Sequence, residues 1–260
     1  MNGLVLVDKP PGPSSFAIVK ALRNRYGVKA GHAGTLDPLA SGLLLCLLGP
    51  ATRLARYLVG LDKRYVTEIR LGLRTTTGDG EGDVLEKTSE STLAEIEALR
   101  GEVDLRIPQA SAVKVEGRRA YDLQRRGVVV EMPMRRSTIH DLRVRNYSPP
   151  LVELDLRVSS GTYVRAIADA LGGHCRTLRR TAVGPFRVED ADEERVLPAL
   201  AALPHLDERE LTDEEARLIR TGRALPGDAE GPVALWRGDG ELVAVARAED
   251  GTIRPETVFP

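Results

Sequence analysis

Gly31-His32-Ala33-Gly34-Thr35-Leu36-Asp37-Pro38-Leu39-Ala40-Ser41-Gly42, followed at once by Leu43-Leu44-Leu45-Cys46-Leu47-Leu48, is the stretch on which the reading of this 260-residue chain turns. The first twelve residues form a polar loop whose glycines and small side chains let backbone and ligand approach closely. Pro38 pushes Asp37 away from helical angles. A lone carboxylate held in that way can be a nucleophile or a general base; an Asp-Pro pair is equally a common turn. His32 fits either a structural or a catalytic role. His32 and Asp37 alone do not make a metal site, because the remaining ligands are missing. The glycines follow neither the Gly-x-x-x-x-Gly-Lys-Ser/Thr nor the Gly-x-Gly-x-x-Gly phosphate spacing. The apolar run 43–48 reads as a buried strand or a short helix.

Upstream, Leu4-Val5-Leu6-Val7 has strand character and is stopped by the stiff turn Asp8-Lys9-Pro10-Pro11-Gly12-Pro13. Ser14 or Ser15 can cap a helix carrying Phe16, Val19, Ala21, Leu22 and Tyr26, with Gly27 as its stop. Downstream, the pattern predicts a helix over Thr52–Val59, a strand over Tyr65–Leu71 and a loop over Gly78–Asp83. It also predicts a helix over Thr92–Leu99 and a strand over Gln109–Val115. Paired strands are expected over 137–147 and 151–159, and helical spacing over Gly161–Leu171. Strands and helices mix without a βαβ rhythm, which favours an α+β fold with a largely antiparallel sheet. Near residue 204 the composition changes, and a short helix from Asp213 to Thr221 precedes apolar runs at 233–236 and 242–246. The domains expected are therefore 1–203 and a small β-rich appendage, 204–260.

A hydrophobic share of 42% and a charged share of 29% are ordinary for a soluble globular protein. No apolar run approaches the roughly 20 residues that span a bilayer, and the start Met1-Asn2-Gly3 with Asp8 does not read as a signal peptide. Cys46 and Cys175 give neither a disulfide framework nor a paired metal spacing, so two reduced thiols in a cytoplasmic protein are expected. The net charge of -1 hides an asymmetry: residues 189–260 carry a net of -10 and residues 1–188 a net of +9. The basic part contains arginine groups at 118–119, 125–126, 135–136 and 176–180, which suit nucleic acid or simply a solvated face.

The loop Gly31-His32-x-Gly34-x-Leu36-Asp37-Pro38-x-Ala40-Ser41-Gly42 resembles the signature of the tRNA pseudouridine synthase B family. Lys9-Pro10-x-Gly12-x-Ser14-Ser15, Asp62-Lys63-Arg64-Tyr65 and Thr75-x-Thr77-x-Asp79-x-x-Gly82 are similar to further family motifs, in order along the chain. So are Gln109-x-Ser111-Ala112-x-Lys114-x-x-Gly117-x-x-Ala120-Tyr121, Gly161-Thr162-Tyr163-Val164-Arg165 and Leu178-Arg179-Arg180. Ala33 departs from the pattern, Ser160 stands where a lysine is frequent, and the stretch 172–177 looks shorter than in some relatives.

The resemblance implies a pseudouridine-synthase fold, with a mainly antiparallel mixed sheet flanked by helices, and a PUA-like C-terminal domain. It implies an isomerase that converts uridine 55 in the T-loop of tRNA to pseudouridine, a reaction that needs no cofactor and no metal. Asp37 maps to the essential aspartate. It could attack the sugar, attack the base, or remove the C2′ proton; the last, through a glycal, is the preferred reading. Tyr65 would stack on the target base, Arg165 would pair with Asp37, and Tyr163 and Leu178 would line the pocket. His32 would fill the gap left by the flipped base, whose extrusion is less costly from a loop than from a duplex. Lys9, Lys114, Arg118, Arg119, Arg126, Arg179 and Arg180 are the expected contacts to RNA phosphates. A monomer is expected, with the tRNA T-stem-loop as partner and no membrane.

Overall fold

The computed structural model describes residues 1–111, 113–115, 117–125, 128 and 130–259, with Arg119, Gln124 and Arg125 described by their backbone alone. Strand β1 (Gly3–Lys9) is buried at every position but Asp8, as a continuous apolar run in a sheet interior must be. Ser14 caps helix α1 (Ser15–Tyr26) by accepting from the Ala17 amide, and Gly27 closes it at φ 65°. After β2 (Ala30–His32), the run 43–48 resolves as strand β3 (Ser41–Leu48), buried from Gly42 onward. The helix expected over Thr52–Val59 is split. A 3-10 turn over Gly49–Leu54 leads into α2 (Ala55–Val59).

Strand β4 (Lys63–Leu71) alternates in burial, followed by β5 (Leu73–Thr75) and β6 (Val84–Lys87). Helix α3 (Leu93–Glu97) carries a capping box between Thr92 and Glu95. Then come β7 (Gly101–Arg106), the short pair β8 (Lys114–Val115) and β9 (Arg118–Arg119), and α4 (Ala120–Arg125). The hairpin β10 (Met134–Ser148) and β11 (Leu151–Val158) turns at the cis Pro149-Pro150 bond. Helix α5 (Val164–Ala170) starts later than the pattern predicts, because Gly161 sits at φ 80°. Next are β12 (Gly173–Val183), β13 (Phe186–Arg187) and β14 (Asp192–Pro198). The last elements are β15 (Asp207–Glu210), α6 (Asp213–Arg220), β16 (Leu225–Pro226), β17 (Gly231–Arg237), β18 (Glu241–Glu249) and β19 (Thr252–Val258).

Two departures from the sequence pattern have physical causes. Of the strand expected over Gln109–Val115, in which residue 112 lies outside the described residues, Lys114–Val115 is the part that pairs. The Ser111 amide donates to the Gln109 carbonyl at 2.8 Å, and the Ala110 carbonyl accepts from Arg165, so local and side-chain bonds replace the ladder there. Strand β12 escapes the periodicity rules because two register shifts against β4, between Cys175 and Thr177 and between Arg180 and Ala182, break its alternation.

The chain divides into two compact units. The first comprises 1–38, 42–59 and 184–260. In it β14, β1 and β3 pair antiparallel, and β2 joins β3 through Ala30–His32. A separate five-stranded sheet in the order β15-β17-β18-β19-β16 follows, antiparallel except for β15 against β17. Its core gathers Val233, Leu235, Val243 and Ile253 under Ala216 and Ile219 of α6. Tyr57 and Arg56 tie its last strand to the 49–59 segment. Arg56 pairs with Glu256 at 2.9 Å, and the Tyr57 hydroxyl lies 3.1 Å from Thr257 Oγ1.

The second unit comprises 39–41 and 60–183. Its strands run in the order β12-β4-β11-β10-β7, each pair antiparallel, with α5 packed on β12 and β4. Among the described residues no helix is long and apolar enough to cross a membrane.

Candidate active site

The Asp37 loop is held by bonds that its sequence makes necessary. Pro38 has no amide proton to give, so the loop is fixed through its carbonyls and through serine. Ser15 Oγ donates to the Leu36 carbonyl and accepts from the Leu36 amide, both at 2.8 Å. The Pro38 carbonyl accepts from the Gly12 amide at 2.7 Å and from Lys9 Nζ at 3.4 Å. Lys9 Nζ also donates to the carbonyls of Pro10 and Pro13, both at 2.9 Å. The Ala33 amide donates to Leu45 at 2.9 Å, which anchors the other end of the loop to β3. Asp37 is thus fixed on both sides, half-buried, between buried Leu36 and exposed Pro38. His32, at the end of β2, is half-buried as well.

In the second unit, register decides what shares a face. Tyr65 on β4 lies opposite Leu156 on β11 and Arg180 on β12, and Thr67 lies opposite Leu154 and Leu178. Directly opposed residues of antiparallel strands point to one face. Tyr65, Leu178 and Arg180, at 8%, 7% and 1% exposure, therefore stand together with Lys63. Lys63 Nζ donates to the Leu61 carbonyl at 2.5 Å and to Ser160 Oγ at 3.2 Å. Burial lowers its pKa to about 8, helped by repulsion from Arg180 and opposed by Asp62.

Arg165, in the first turn of α5, is buried and clamped by backbone. Its Nη1 donates to the Thr77 carbonyl at 2.6 Å and its Nη2 to the Ala110 carbonyl at 2.9 Å. The 75–82 loop is rigid because Asp79, itself buried, accepts from Thr77 Oγ1 at 2.5 Å and from the Glu81 amide at 3.1 Å. The Gly78 carbonyl accepts from the Cys175 amide at 3.0 Å, which ties the loop to β12. The sequence pattern flagged Thr75-x-Thr77-x-Asp79 without a role. The signal was there, but only the fold shows that the loop carries Arg165. Tyr163, at the N-cap position of α5, packs against the small cluster of Ile107, Ala120 and Met132.

The expected phosphate contacts divide. Lys114 and Arg118 are exposed, Arg179 is half-buried with Nη1 3.5 Å from Ser41 Oγ, the Arg119 side chain and Arg126 lie outside the described residues. Lys9 and Arg180 correct the expectation: at 0% and 1% exposure they cannot face a phosphate chain from this structure. Lys9 is spent on carbonyls instead. Arg136 and Arg176 pair with Glu102 and Glu68. Among the described residues no group of three or more His, Cys, Asp and Glu is placed to hold a metal ion.

Residues 20–164 match the TruB family pseudouridylate synthase N-terminal domain, and residues 206–260 match the C-terminal domain of tRNA pseudouridine synthase II. The chain is 41% identical to the tRNA pseudouridine synthase B of Thermobifida fusca (strain YX), with 99% of this chain and 98% of the relative covered. It is 42% identical to that of Mycobacterium sp. (strain KMS), covering 99% and 95%. Among solved structures, a chain of a Cbf5-Nop10-Gar1 complex superposes with a TM-score of 0.73 at 26% identity, over 99% of this chain and 85% of that one. A chain of an H/ACA RNP bound to a substrate RNA containing 2'-deoxyuridine shares the fold, with a TM-score of 0.72 at 24% identity over 99% and 85%. The fold, both domain matches and the end-to-end likeness to named enzymes agree: the chain belongs to the TruB family of pseudouridylate synthases.

Proposed function

We infer that this protein is a tRNA pseudouridine synthase that isomerises uridine 55 in the T-loop. The reading is carried by whole-length similarity, about two residues in five identical, to enzymes named tRNA pseudouridine synthase B. The reaction breaks the C1′–N1 bond, turns the base, and joins C1′ to C5; N1 gains a proton and C5 loses one. Nothing is oxidised and no group enters or leaves.

In this proposal Asp37 is the catalytic residue: it removes the C2′ proton as the C1′–N1 bond breaks, which gives a glycal, and it returns that proton to C2′ as the turned base joins C1′ through C5. The bonds from Ser15, Gly12 and Lys9 to residues 36 and 38 support it, because they fix the carboxylate's backbone before substrate arrives. Arg165 is the intended partner of Asp37, and its two backbone-held nitrogens suit a fixed counter-charge. Tyr65 stacks on the uracil, Leu178 and Tyr163 wall the pocket, and His32 fills the stack position that the base leaves. Lys114 and Arg118, with Arg119 and Arg126, meet phosphates of the T-stem-loop. The enzyme acts as a cytoplasmic monomer, with residues 1–203 catalytic and 204–260 a PUA-like module.

The test is conversion of unmodified tRNA by wild type and by Asp37→Asn. Pseudouridine at position 55 from the first and none from the second, with RNA still bound, is the expected outcome. Equal conversion by both overturns the assignment of Asp37. Deuterium at C2′ should slow the wild-type single-turnover rate; the absence of an isotope effect in a step limited by chemistry removes the glycal route.

A further inference from the structure

The chain has three phenylalanines. Phe186 and Phe259 are buried, whereas Phe16 is 69% exposed, the most exposed of the large apolar side chains among the described residues. It stands in the first turn of α1, whose buried face is Ser15, Val19 and Leu22. Residues at i, i+4 and i+7 of a helix form one stripe, so Phe16, Lys20 and Arg23 line up on the solvent side.

The charge on that stripe is unbalanced. Helix α1 contains no acidic residue, and among the described residues neither Lys20 nor Arg23 forms an ion pair. Other exposed arginines do: Arg25 is held by Glu194, Arg56 by Glu256, Arg145 by Glu153 and Arg176 by Glu68. An exposed ring beside two unpaired cations fits a polyanion whose bases can stack. Its position is not arbitrary either. The residue before Phe16 is Ser15, whose hydroxyl makes both bonds to Leu36, next to Asp37. The stripe is therefore rigidly connected to the Asp37 loop.

We propose that the exposed stripe Phe16–Lys20–Arg23 of α1 is an RNA-docking surface, on which Phe16 stacks against an unpaired base and Lys20 and Arg23 take flanking phosphates. It rests on the reading of this protein as an RNA-modifying enzyme. Aromatic stacking is tolerant of base identity and needs an unstacked nucleotide, which a loop supplies and a duplex does not.

The experiment measures binding of a labelled, unmodified T-arm hairpin to the full-length protein over a range of salt. The variants are Phe16→Ala, Phe16→Trp, and Lys20→Gln with Arg23→Gln, each with its thermal unfolding midpoint checked against wild type. Phe16→Ala should weaken binding about tenfold with an unchanged salt slope, and Phe16→Trp should restore it. The double cation variant should lower the slope of log K against log salt by about 1.5. Unchanged affinity and slope in all variants overturn the proposal and leave the stripe to some other partner. Conversion of the same hairpin by wild type and Asp37→Asn is scored in parallel. A wild type that makes no pseudouridine but binds through Phe16 would sink the enzyme reading and keep this one.

Discussion

Lys9→Met should cost this protein more stability than a change to an outward-facing lysine could. Lys9 is wholly buried at the end of β1, and its ammonium donates to three carbonyls, those of Pro10 and Pro13 at 2.9 Å and that of Pro38 at 3.4 Å. Hydrogen bonds from a charged donor are worth about 1.5–3 kcal/mol each, so the two short ones amount to roughly 3–6 kcal/mol gross. Methionine fills much of the same volume, and the ammonium no longer has to be held out of water. That relief offsets part of the loss and leaves a net cost of about 2–4 kcal/mol. Set against a total of about 5–15 kcal/mol, this is large. Urea unfolding followed by circular dichroism reads it as a lower midpoint at unchanged slope. The Pro38 carbonyl keeps its 2.7 Å bond from Gly12, so the loop stays near its place and the folded variant should bind RNA while converting it more slowly. A midpoint equivalent to less than about 0.5 kcal/mol of change would refute the reasoning, since surface substitutions lie in that range.

Two further outcomes follow from the second unit. Gly78 sits at φ 73°, and a Cβ there would lie 3.2 Å from the Arg165 Cβ, so Gly78→Ala should cost about 1–2 kcal/mol in backbone strain and push Arg165 aside. Single-turnover conversion should fall by about tenfold or more, while Gly80→Ala, which meets nothing within 4 Å, should behave as wild type. The pKa of Lys63 falls from 10.5 to about 8 on folding, mainly through burial. The unfolded chain then binds more protons than the native one between those values, so the Lys63 contribution to stability rises as pH rises through that window. Wild type should gain on Lys63→Met from pH 8 to 10.5 in denaturation midpoint; parallel curves would show that the lysine titrates normally.

The sequence pattern determined several elements by itself, because their causes are local. The β1 run is apolar without interruption, Ser14 and Gly27 bound α1 through cap geometry, and Thr92 with Glu95 marks α3 by its capping box, whereas the run 43–48 fits a strand or a short helix until the fold makes it β3. The Asp37 loop stands out as a candidate site only through its family resemblance, because a proline, glycines and one carboxylate within a dozen residues fit a common turn equally well. Long-range register was not legible. That Leu178 and Arg180 share a face with Tyr65 depends on β12 pairing with β4 across two bulges, and no period-2 count survives a bulge. Charge was misread where burial decided the role. Lys9 resembles a phosphate contact in sequence, yet the proline turns around it present three carbonyls to which its ammonium donates. Asp79 likewise acts at a distance, holding Thr77 so that its carbonyl meets a guanidinium 88 positions along the chain. Caps, turns and apolar runs are written in neighbouring residues; which buried polar groups satisfy one another is settled only when distant segments meet.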